Sequence, residues 1–355
     1  MRIIIRLLVG LALVCTILLV ALYLRSPIEP VVWQPSPNPG LTGPFEKNTL
    51  LATSRLVSMQ GGDGPEDITR GPDGLFYTGL SDGRIVRVDP QSGALSDFAN
   101  TGGRPLGMQF DAQGQLLVAD SKKGLLSVST EGIVTVLTNT ANGKPMLFVD
   151  DLDIADDGTI WFSDASQRFG YEGVMFDLIE AQATGRLLSY SPASGETKVH
   201  LEDLAFANGV ALGPNDEWVL INDTGRSRIM RLWLQGERAG ESEVFIDGLP
   251  AMPDNLSFNG RDRIWVALVS LRSAELEALA DKILLRKLIT GLPSAALMPK
   301  DQYAFVLGLD LNGEVVTNLQ GSGERFYAIT SVNEFDGNLY LGSLLAPDIA
   351  IYPLK

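Results

Sequence analysis

The most regular feature of this chain is a short phrase in which apolar and polar residues alternate after a turn that contains Asp or Asn and Gly. The run RIVRV (84–88) is one example, because it alternates directly after the turn SDG (81–83). Alternation with a period of two, bounded by such turns, predicts antiparallel β-hairpins rather than helices. The phrase occurs six times, at residues 72–93, 111–132, 156–165 continued at 185–195, 214–236, 259–270 and 335–354.

The spacing of the repeats indicates how the hairpins assemble. The turn glycines Gly74, Gly114 and Gly158 lie 40 and 44 residues apart, which is the length of one four-stranded propeller blade. Six repeats therefore predict an all-β fold, a six-bladed β-propeller, in which radial repetition protects the sheet edges. The strand-like segment TSRLVS (53–58) is expected to complete the last blade and close the ring. A closed ring without long free edges also predicts a monomeric ectodomain.

The first 25 residues follow a different pattern, that of a membrane segment. Residues 7–24 contain no charge over eighteen positions, close to the roughly 20 residues that cross a bilayer core. Arg2 and Arg6 precede this run, which favours a cytoplasmic N-terminus and a single-pass signal anchor. The remainder is then expected on the non-cytoplasmic side, whether periplasmic, extracellular or lumenal. A cleaved signal peptide is the alternative, although no small-x-small cleavage site follows the run.

The chain after the anchor divides into a linker and a folded body. Residues 26–46 hold six prolines without a helical or strand period and predict a stiff spacer. The expected organisation is a transmembrane segment at 1–25, a proline-rich linker at 26–46 and the propeller at 47–355. Two helical insertions are predicted at 166–184 and 274–289, of which the second has apolar residues at helical spacing. They either pack against the blades or form a lid over the channel, or the longer one rests on the membrane.

Composition narrows the chemistry that such a propeller can perform. The chain has 28 Lys and Arg against 43 Asp and Glu, a net charge of −15, which argues against nucleic acid as a partner. Cys15 and His200 are the single residues of their types, so a disulfide framework, a thiol centre and a zinc tetrad are excluded. What remains is the chemistry of carboxylate, amide and hydroxyl oxygens and of the hard cations that they bind.

Carboxylate and amide residues recur at one phase of the repeat, at the start of an apolar strand. They are Glu66-Asp67, Asp150-Asp151, Asn208 and Asp254-Asn255, which precede the turn of their repeats by 8, 8, 6 and 6 residues. Equal phase places them at the same height of the innermost strands, so their side chains are expected to converge at one mouth of the channel. Oxygens that converge from several strands suit Ca²⁺, which takes about six to eight of them. The sequence therefore predicts a calcium site.

Several longer motifs give the chain a specific family resemblance. They are GRPLGMQFD (103–111), LLVAD (116–120), FVDDLDIADDGTIWFSDAS (148–166), TGRLLSY (184–190), FANGVALGPN (206–215), MPDNLSF (252–258) and ITSVNEFDGNLYLGSLLAP (329–347). With these motifs the chain resembles the strictosidine synthase-like proteins from about residue 50 to its end. It is most similar to the adipocyte plasma membrane-associated type, which also has a short N-terminal membrane anchor. That family is similar in fold to the paraoxonases and the senescence-marker and gluconolactonase proteins, which are calcium-dependent six-bladed propellers.

The resemblance implies a role for each of the paired polar residues. The positions that match the ligands of the catalytic calcium are Glu66, Asp150, Asn208, Asp254 and Asn255. Asp150 stands where relatives usually carry Asn, so the site is more anionic in this chain. Asp67 and Asp151 match carboxylates that hold a second, structural calcium in paraoxonases.

Two departures from the related families limit the reaction. The histidine that paraoxonases place near the metal falls at about Leu106, so a mechanism based on that histidine is not expected. The glutamate with which true strictosidine synthases condense an amine with an aldehyde falls near Thr330. Leu106 and Thr330, together with Phe169 and Tyr171 from the first insertion, are instead expected to line the substrate site. His200 lies in a segment that is expected to be an outer strand with a structural role.

These observations favour a membrane-anchored, calcium-dependent hydrolase of lactones or aryl esters. Calcium would polarise the substrate carbonyl, and Asp150 or Glu66 would position and deprotonate the attacking water. Two alternatives remain open. One is a strictosidine synthase-like condensing enzyme, and the other is a non-catalytic propeller that binds a ligand or partner at the membrane.

Overall fold

The computed structural model describes residues 2–293, 297 and 302–354. Its described strands form six four-stranded antiparallel sheets and one two-stranded ribbon. The six-bladed β-propeller predicted from the repeats is therefore confirmed. The repeat turns depend on glycine, because Gly74, Gly114 and Gly158 have φ angles of 80°, 78° and 84°, in the left-handed region that side chains rarely adopt.

The strands follow one another around the ring in chain order, after β1 at Arg55–Ser58. The first two blades are β2 Ile68–Arg70, β3 Phe76–Gly79, β4 Arg84–Val88, β5 Leu95–Asn100, β6 Pro105–Phe110, β7 Leu116–Asp120, β8 Gly124–Val128 and β9 Val134–Thr138. The ribbon is β10 Thr140–Ala141 and β11 Lys144–Pro145. The next two blades are β12 Val149–Ile154, β13 Ile160–Asp164, β14 Gly185–Ser191, β15 Glu196–Leu204, β16 Ala207–Leu212, β17 Trp218–Asp223, β18 Arg228–Trp233 and β19 Ser242–Ile246. The last two blades are β20 Ala251–Phe258, β21 Ile264–Leu271, β22 Ala304–Leu309, β23 Val315–Gly321, β24 Ile329–Phe335, β25 Asn338–Ser343 and β26 Asp348–Pro353, with β1.

Both ends of the propeller sequence contribute to the last blade, as expected for the segment 53–58. β1 pairs antiparallel with β26, with Arg55 opposite Ile351 and Ser58 opposite Asp348. The first strand of every blade contacts the first strands of both neighbouring blades, so β2, β6, β12, β16, β20 and β24 form a closed ring. These six strands line the central channel, and we call them the channel strands.

Apolar residues from alternate strand positions pack between the blades. Trp161 and Trp265 are the second residues of β13 and β21, opposite Asp153 and Ser257, whereas Trp218 is the first residue of β17. Each tryptophan is buried in a different apolar cluster. His200 lies on β15, the fourth and outermost strand of its blade, as predicted. Its ring lies 4.4 Å from the ring of Trp161, and its Nε2 shares a hydrogen bond of 2.8 Å with Ser189 Oγ. These contacts account for the histidine as a structural residue.

Three blades end their second strand with a fully buried aspartate, namely Asp120, Asp164 and Asp223. Each carboxylate accepts a backbone N–H from the loop that leads into the channel strand of the same blade. The donors are Arg104 to Asp120 at 3.0 Å, Phe148 to Asp164 at 3.0 Å and Ala205 to Asp223 at 2.7 Å. We call this contact the aspartate clasp. It fixes the segment from which each of these channel strands starts.

The chain divides into two compact units. The larger unit is Ser36–Tyr171, Ala183–Arg272 and Asp301–Lys355, and it contains all of the described strands. The smaller unit is Met1–Pro35, Glu172–Gln182 and Ser273–Lys300. Its helices are α1 Arg2–Arg25, α2 Val174–Glu180, α3 Ala274–Glu277 and α4 Ile283–Thr290. Of the helices in the described chain, α1 is the one that is long and apolar enough to cross a membrane.

The second insertion differs from the single helix predicted over 274–289. α3 ends at Glu277 and α4 begins only at Ile283. The guanidinium of Arg286 donates to the carbonyl oxygen of Ala280 at 3.1 Å, where a continuous helix would place the backbone N–H of Leu284. The side chain of Arg286 thus satisfies a carbonyl that the break leaves free. α4 ends before Gly291, as the sequence predicted.

Candidate functional site

The channel strands share an irregularity at one level of the channel. Five of the six lose their regular pairing at the same point, between Pro105 and Met108, Val149 and Leu152, Ala207 and Val210, Pro253 and Leu256, and Ile329 and Val332. Each irregularity encloses two residues, and in the remaining blade the pair Glu66-Asp67 lies directly before β2. Bulges of this kind re-aim side chains and are common beside functional sites.

These six pairs form two adjacent rings of residues. The first ring is Glu66, Leu106, Asp150, Asn208, Asp254 and Thr330. The second ring is Asp67, Gly107, Asp151, Gly209, Asn255 and Ser331. No side chain of the first ring is more than 7% exposed. The first ring therefore contains four of the five predicted metal ligands, one from each of four blades, with Leu106 and Thr330 at the equivalent positions of the other two. The fifth, Asn255, lies in the second ring.

Glycines let neighbouring channel strands approach each other at the second ring. A Cβ on Gly107 would lie 2.7 Å from the Cα of Asp151, and one on Gly209 would lie 2.6 Å from the backbone nitrogen of Leu256. Real Cβ atoms do not approach other atoms this closely, so neither position accepts a larger residue without a backbone shift. The absence of these two side chains therefore allows the close approach of the channel strands at the second ring.

The carboxylates of the second ring connect neighbouring blades. Asp67 accepts the N–H of Met108 on the next channel strand at 2.9 Å and the side-chain amide of Asn333 at 3.0 Å. Asp151 accepts the N–H of Val210 at 2.8 Å in the same way. These hydrogen bonds already satisfy much of both carboxylates, so the first ring fits a cation better than the second. The assignment of Asp67 and Asp151 to a second calcium stays a prediction.

Oxygen atoms around the first ring lack partners that a buried position requires. Asp150 Oδ2, Asn208 Oδ1 and Asn255 Oδ1 are buried and accept no hydrogen bond. Asn255 turns its amide towards Glu66, with Nδ2 3.3 Å from Oε1. Buried polar atoms are nearly always paired, and a hard cation is the partner that carboxylate and amide oxygens would share. Within the described residues, no three Asp, Glu, His or Cys side chains are grouped as a metal site on their own, so the amides would have to be part of it.

The three carboxylates of the first ring are buried and repel one another, and both effects raise pKa values in the ring. Burial, followed by repulsion from Asp254 and Asp150, raises the pKa of Glu66 well above its usual value. Burial and then Asp254 raise the pKa of Asp150 in the same way. Burial raises the pKa of Asp254 to about 8, although a hydrogen bond from Asn208 opposes the shift. A divalent cation would relieve this repulsion by stabilising all three carboxylates in their charged form.

Arg104 is a component of the site that the sequence analysis missed. Its side chain is fully buried, and Nη1 donates to the carbonyl oxygen of Gly64 at 2.9 Å. Its Nε and Nη2 have no hydrogen-bond partner. Its charge lowers the pKa of both Glu66 and Asp150, so it partly compensates the first ring. The signal was present in the motif GRPLG, but an arginine before a strand gives no indication of where its side chain ends.

Aromatic residues lie next to this arginine. The guanidinium of Arg104 is 5.6 Å from the ring centre of Tyr171, and the ring of Phe148 lies 5.9 Å from Tyr171 and 5.1 Å from Phe206. Tyr171 therefore lies beside the buried Arg104, and its role in the substrate wall stays a prediction. Phe148 and Phe206 were missed because they precede their channel strands in loops without a distinctive motif. Phe169 donates its backbone N–H to Ser166 Oγ at 3.0 Å, and the guanidinium of Arg168 lies 5.6 Å from its ring centre. Its role in the substrate wall stays a prediction.

The backbone is strained two residues before the first ring in two blades. Phe206 and Ala328 have φ angles of 64° and 49°, two residues before Asn208 and Thr330. Non-glycine residues in this region are uncommon, with a penalty of about 1–3 kcal/mol each, and they cluster at functional sites. The hydroxyl of Thr330 then donates to the carbonyl oxygen of Glu66 at 2.6 Å. This bond links the last blade to the first at the level of the ring.

Beyond the second ring, the channel opens into a cavity of about 310 Å³. Asp67, Asp151 and Asn255 form one side of it, and later residues of the same channel strands, among them Asp153 and Asn333, form the rest. Burial raises the pKa of Asp153 to about 6. The lining is polar, so this part of the channel suits water or ions better than an apolar ligand.

Comparison with known proteins places the chain in a family. Residues 150–237 match the family model for strictosidine synthase, and residues 43–88 match the model for the N-terminal part of strictosidine synthase-like proteins. The protein strictosidine synthase-like 4 of Arabidopsis thaliana is 34% identical over 326 residues, which cover 90% of this chain and 86% of that protein. The chain belongs to the strictosidine synthase-like family. An adipocyte plasma membrane-associated protein of Danio rerio is 33% identical over 94% of this strictosidine synthase-like chain and 86% of its own length. The resemblance inferred from the motifs is confirmed.

Solved structures give the same architecture. A gluconolactonase from Xanthomonas campestris superimposes with a TM-score of 0.62 at 16% identity, covering 93% of this chain and 99% of its own. Regucalcin from Agrobacterium tumefaciens, a calcium-binding protein, gives a TM-score of 0.57 at 14% identity and covers 83% and 97%. At these identities the likeness establishes the fold of this strictosidine synthase-like protein alone.

Proposed function

We propose that this strictosidine synthase-like protein is a calcium-dependent hydrolase of lactones or aryl esters. The observation that carries the proposal is the set of unpaired buried oxygens of Asp150, Asn208 and Asn255 beside the carboxylates of Glu66 and Asp254. These five residues are the ones that would hold the ion. The names of the gluconolactonase and regucalcin structures agree with this assignment.

The residues of the first ring would have different roles in ester hydrolysis. Calcium, when bound, would supply the Lewis acid that polarises the ester carbonyl and stabilises its oxyanion. We assign Asp150 as the general base, with Glu66 as the second choice, because both are carboxylates of the first ring, buried beside the oxygens that would hold the ion. Its carboxylate takes a proton from water as the water oxygen attacks the carbonyl carbon. The acyl C–O bond then breaks and the proton passes to the leaving oxygen, which gives a carboxylic acid and a phenol from an aryl ester, or one hydroxy acid from a lactone.

The surroundings of the ring favour an aromatic or other apolar substrate. Phe148, Tyr171 and Phe206 supply ring surfaces, and Leu106 supplies an aliphatic one within the first ring. A panel of phenyl acetate and γ-lactones, assayed with calcium and with EDTA, tests the proposal directly. Hydrolysis that EDTA abolishes supports it. Calcium binding without hydrolysis of any ester or lactone in the panel would favour the non-catalytic propeller instead.

Calcium is expected to stabilise the fold. When the free concentration of an ion is 100 times its dissociation constant, and the ion binds only the native state, it adds about 2.7 kcal/mol to the free energy of unfolding. The ligands come from four blades, so the ion would add connections across the channel to a ring in which each channel strand packs mainly on its two neighbours. Thermal unfolding of the full-length protein in detergent, in EDTA and in millimolar calcium, measures the effect.

One asparagine variant tests the ion site, and a second asparagine variant is its matched control. Asn208→Ala should lose the calcium-dependent rise in melting temperature, while Asn312→Ala, at an exposed turn, should keep it. Identical melting temperatures of the unmodified protein in EDTA and in calcium would contradict the proposed ion site.

Condensation of tryptamine with an aldehyde is not expected from this protein. Thr330 stands near the position of the synthase glutamate, and its hydroxyl is bonded to the carbonyl oxygen of Glu66. Glu334, the nearest carboxylate along the strand, accepts a hydrogen bond from Trp265 Nε1 at 2.9 Å and pairs with Arg261. No carboxylate of this segment is therefore free to act on an amine. Mass spectrometry of a reaction with tryptamine and an aldehyde should detect no coupled product, and a coupled product would contradict the assignment.

We also propose that α1 is retained as a membrane anchor with the propeller on the non-cytoplasmic side. The length and apolar composition of Arg2–Arg25 support a span, and a relative is named as plasma membrane-associated. The arginines at positions 2 and 6 favour the orientation. Protease treatment of intact cells that carry a C-terminal tag on the protein should remove the tag.

A further inference from the structure

In the smaller unit, α4 buries polar residues and exposes two of its three leucines. Arg286 is fully buried and Thr290 is 2% exposed, whereas Leu284 is 58% and Leu285 is 45% exposed. Leu292, just beyond the helix, is 41% exposed. In a water-soluble unit an amphipathic helix turns the opposite face inwards. The orientation of α4 therefore needs an apolar environment on its outer side.

The buried arginine prevents α4 from turning its leucines inwards. Its guanidinium donates to the carbonyl oxygens of Ile179 at 3.0 Å and Ala280 at 3.1 Å and to that of Val31, and it lies 4.7 Å from the ring centre of Trp33. Rotation of the helix would break these bonds and leave a charge without acceptors, which is more unfavourable than exposed leucine. The outward leucines are thus a fixed property of this unit.

α4 is joined to the end of the membrane helix. Thr290 Oγ1 shares a hydrogen bond of 2.8 Å with Ser26 Oγ, directly after α1, and Lys287 Nζ lies 4.9 Å from the ring centre of Tyr23. Gly291 packs so closely against the backbone of Leu22 that a Cβ would collide with it. These contacts place α4 beside the last turn of α1.

That turn lies at the boundary between lipid and water if α1 spans the membrane. A helix of 24 residues is about 36 Å long, slightly more than the roughly 30 Å hydrocarbon core. Tyr23 and Arg25 are exposed at its end, and residues of these types are enriched at membrane interfaces. Val32, which follows the same turn, is 60% exposed and adds to the apolar surface next to α4.

We propose that Val32, Leu284, Leu285 and Leu292 form a docking surface that inserts into the interfacial region of the lipid bilayer crossed by α1. The inference rests on the membrane anchor proposed above. It adds a second attachment, which enters the bilayer from one side without crossing it. The lipid surface is the chosen occupant because the patch continues from the anchor helix. An interfacial helix of this kind buries its apolar side at the boundary of headgroups and acyl chains.

The single cysteine of the chain allows the anchor and the docking surface to be tested separately. The full-length protein would be placed in nanodiscs with one chain each, so that a second copy cannot cover the patch. A fluorophore on native Cys15 reports on the span. The same fluorophore on Leu284→Cys or Leu285→Cys, each in a Cys15→Ser background, reports on the patch, and Gln113→Cys at an exposed turn is the reference in water.

Nitroxide lipids then distinguish the outcomes. We expect a label at position 284 or 285 to be quenched by lipids with a shallow nitroxide at least about twofold more than the label at 113. Quenching at both positions no greater than at 113, with Cys15 quenched by a deep nitroxide, would overturn the docking surface and leave the anchor intact. An unquenched label at Cys15 would instead overturn the anchor. Two label positions on α4 guard against a variant that fails to fold.

Discussion

Replacing Asn208 by alanine is expected to lower the turnover of ester hydrolysis by about 10²-fold or more. The substitution removes a buried amide oxygen that has no other partner and that the proposed ion would use. A loss of this size is typical when a preorganised stabiliser of the oxyanion is removed. Glu66→Gln should have an effect of the same order, because it removes one of the three carboxylate charges around the ion. Steady-state rates with phenyl acetate or a γ-lactone at saturating calcium measure both.

His200→Gln and Asn312→Ala are the controls for these two variants. His200 contacts Trp161 and Ser189 on the outer part of its blade, and Asn312 lies at an exposed turn. Both should retain nearly full turnover. Full activity in Asn208→Ala, or loss of activity in His200→Gln, would mean that the chemistry lies elsewhere in the ring.

Replacing Asp164 by alanine is expected to lower the free energy of unfolding by about 3–5 kcal/mol, the usual result of removing one partner of a buried ion pair. The carboxylate accepts the Nη2 of Arg186 at 2.6 Å and the N–H of Phe148 at 3.0 Å, and the two charged side chains are 0% and 1% exposed. The variant leaves a buried guanidinium and a backbone N–H without acceptors. Urea unfolding of the full-length protein in detergent measures the change.

Two further variants separate the causes of that change. Asp164→Asn keeps an acceptor for Phe148 but removes the charge, so it should recover only part of the loss. Asp82→Ala removes a carboxylate from the exposed pair with Arg84 and should change the unfolding free energy by about 1 kcal/mol or less. Equal effects of Asp82→Ala and Asp164→Ala would argue against the structural importance of the buried pair.

The fold was predictable from the sequence because a propeller repeats a local signal. Each blade carries its own turn and its own alternating strands. The length of the repeat can therefore be recognised from the other blades even where one blade is irregular. The phase of Glu66, Asp150, Asn208 and Asp254 relative to those turns was also local information. For that reason these four residues could be placed at one level of the channel from the sequence alone.

Residues that act across blades gave no such signal. Arg104 precedes its channel strand, but its effect on Glu66 and Asp150 depends on the contact between three blades. Phe148 and Phe206 meet only because their entry segments lie side by side. The irregularities in the channel strands also depend on how each strand pairs with its neighbour, which the sequence of one strand does not show. The break in the predicted helix 274–289 depends on acceptors that Arg286 finds at Val31 and Ile179, far away in the sequence.

The closure of the last blade has a consequence for how the protein is made. β1 has no partner until β26 has been synthesised, and these strands stand at opposite ends of the propeller sequence. At about 5–20 residues per second, roughly 15–60 s of translation separate the two strands. Throughout that time the nascent chain carries an unpaired strand just after its membrane segment, and a premature stop before Asp348 would leave it unpaired permanently. Ring closure therefore cannot take place before β26 has been translated.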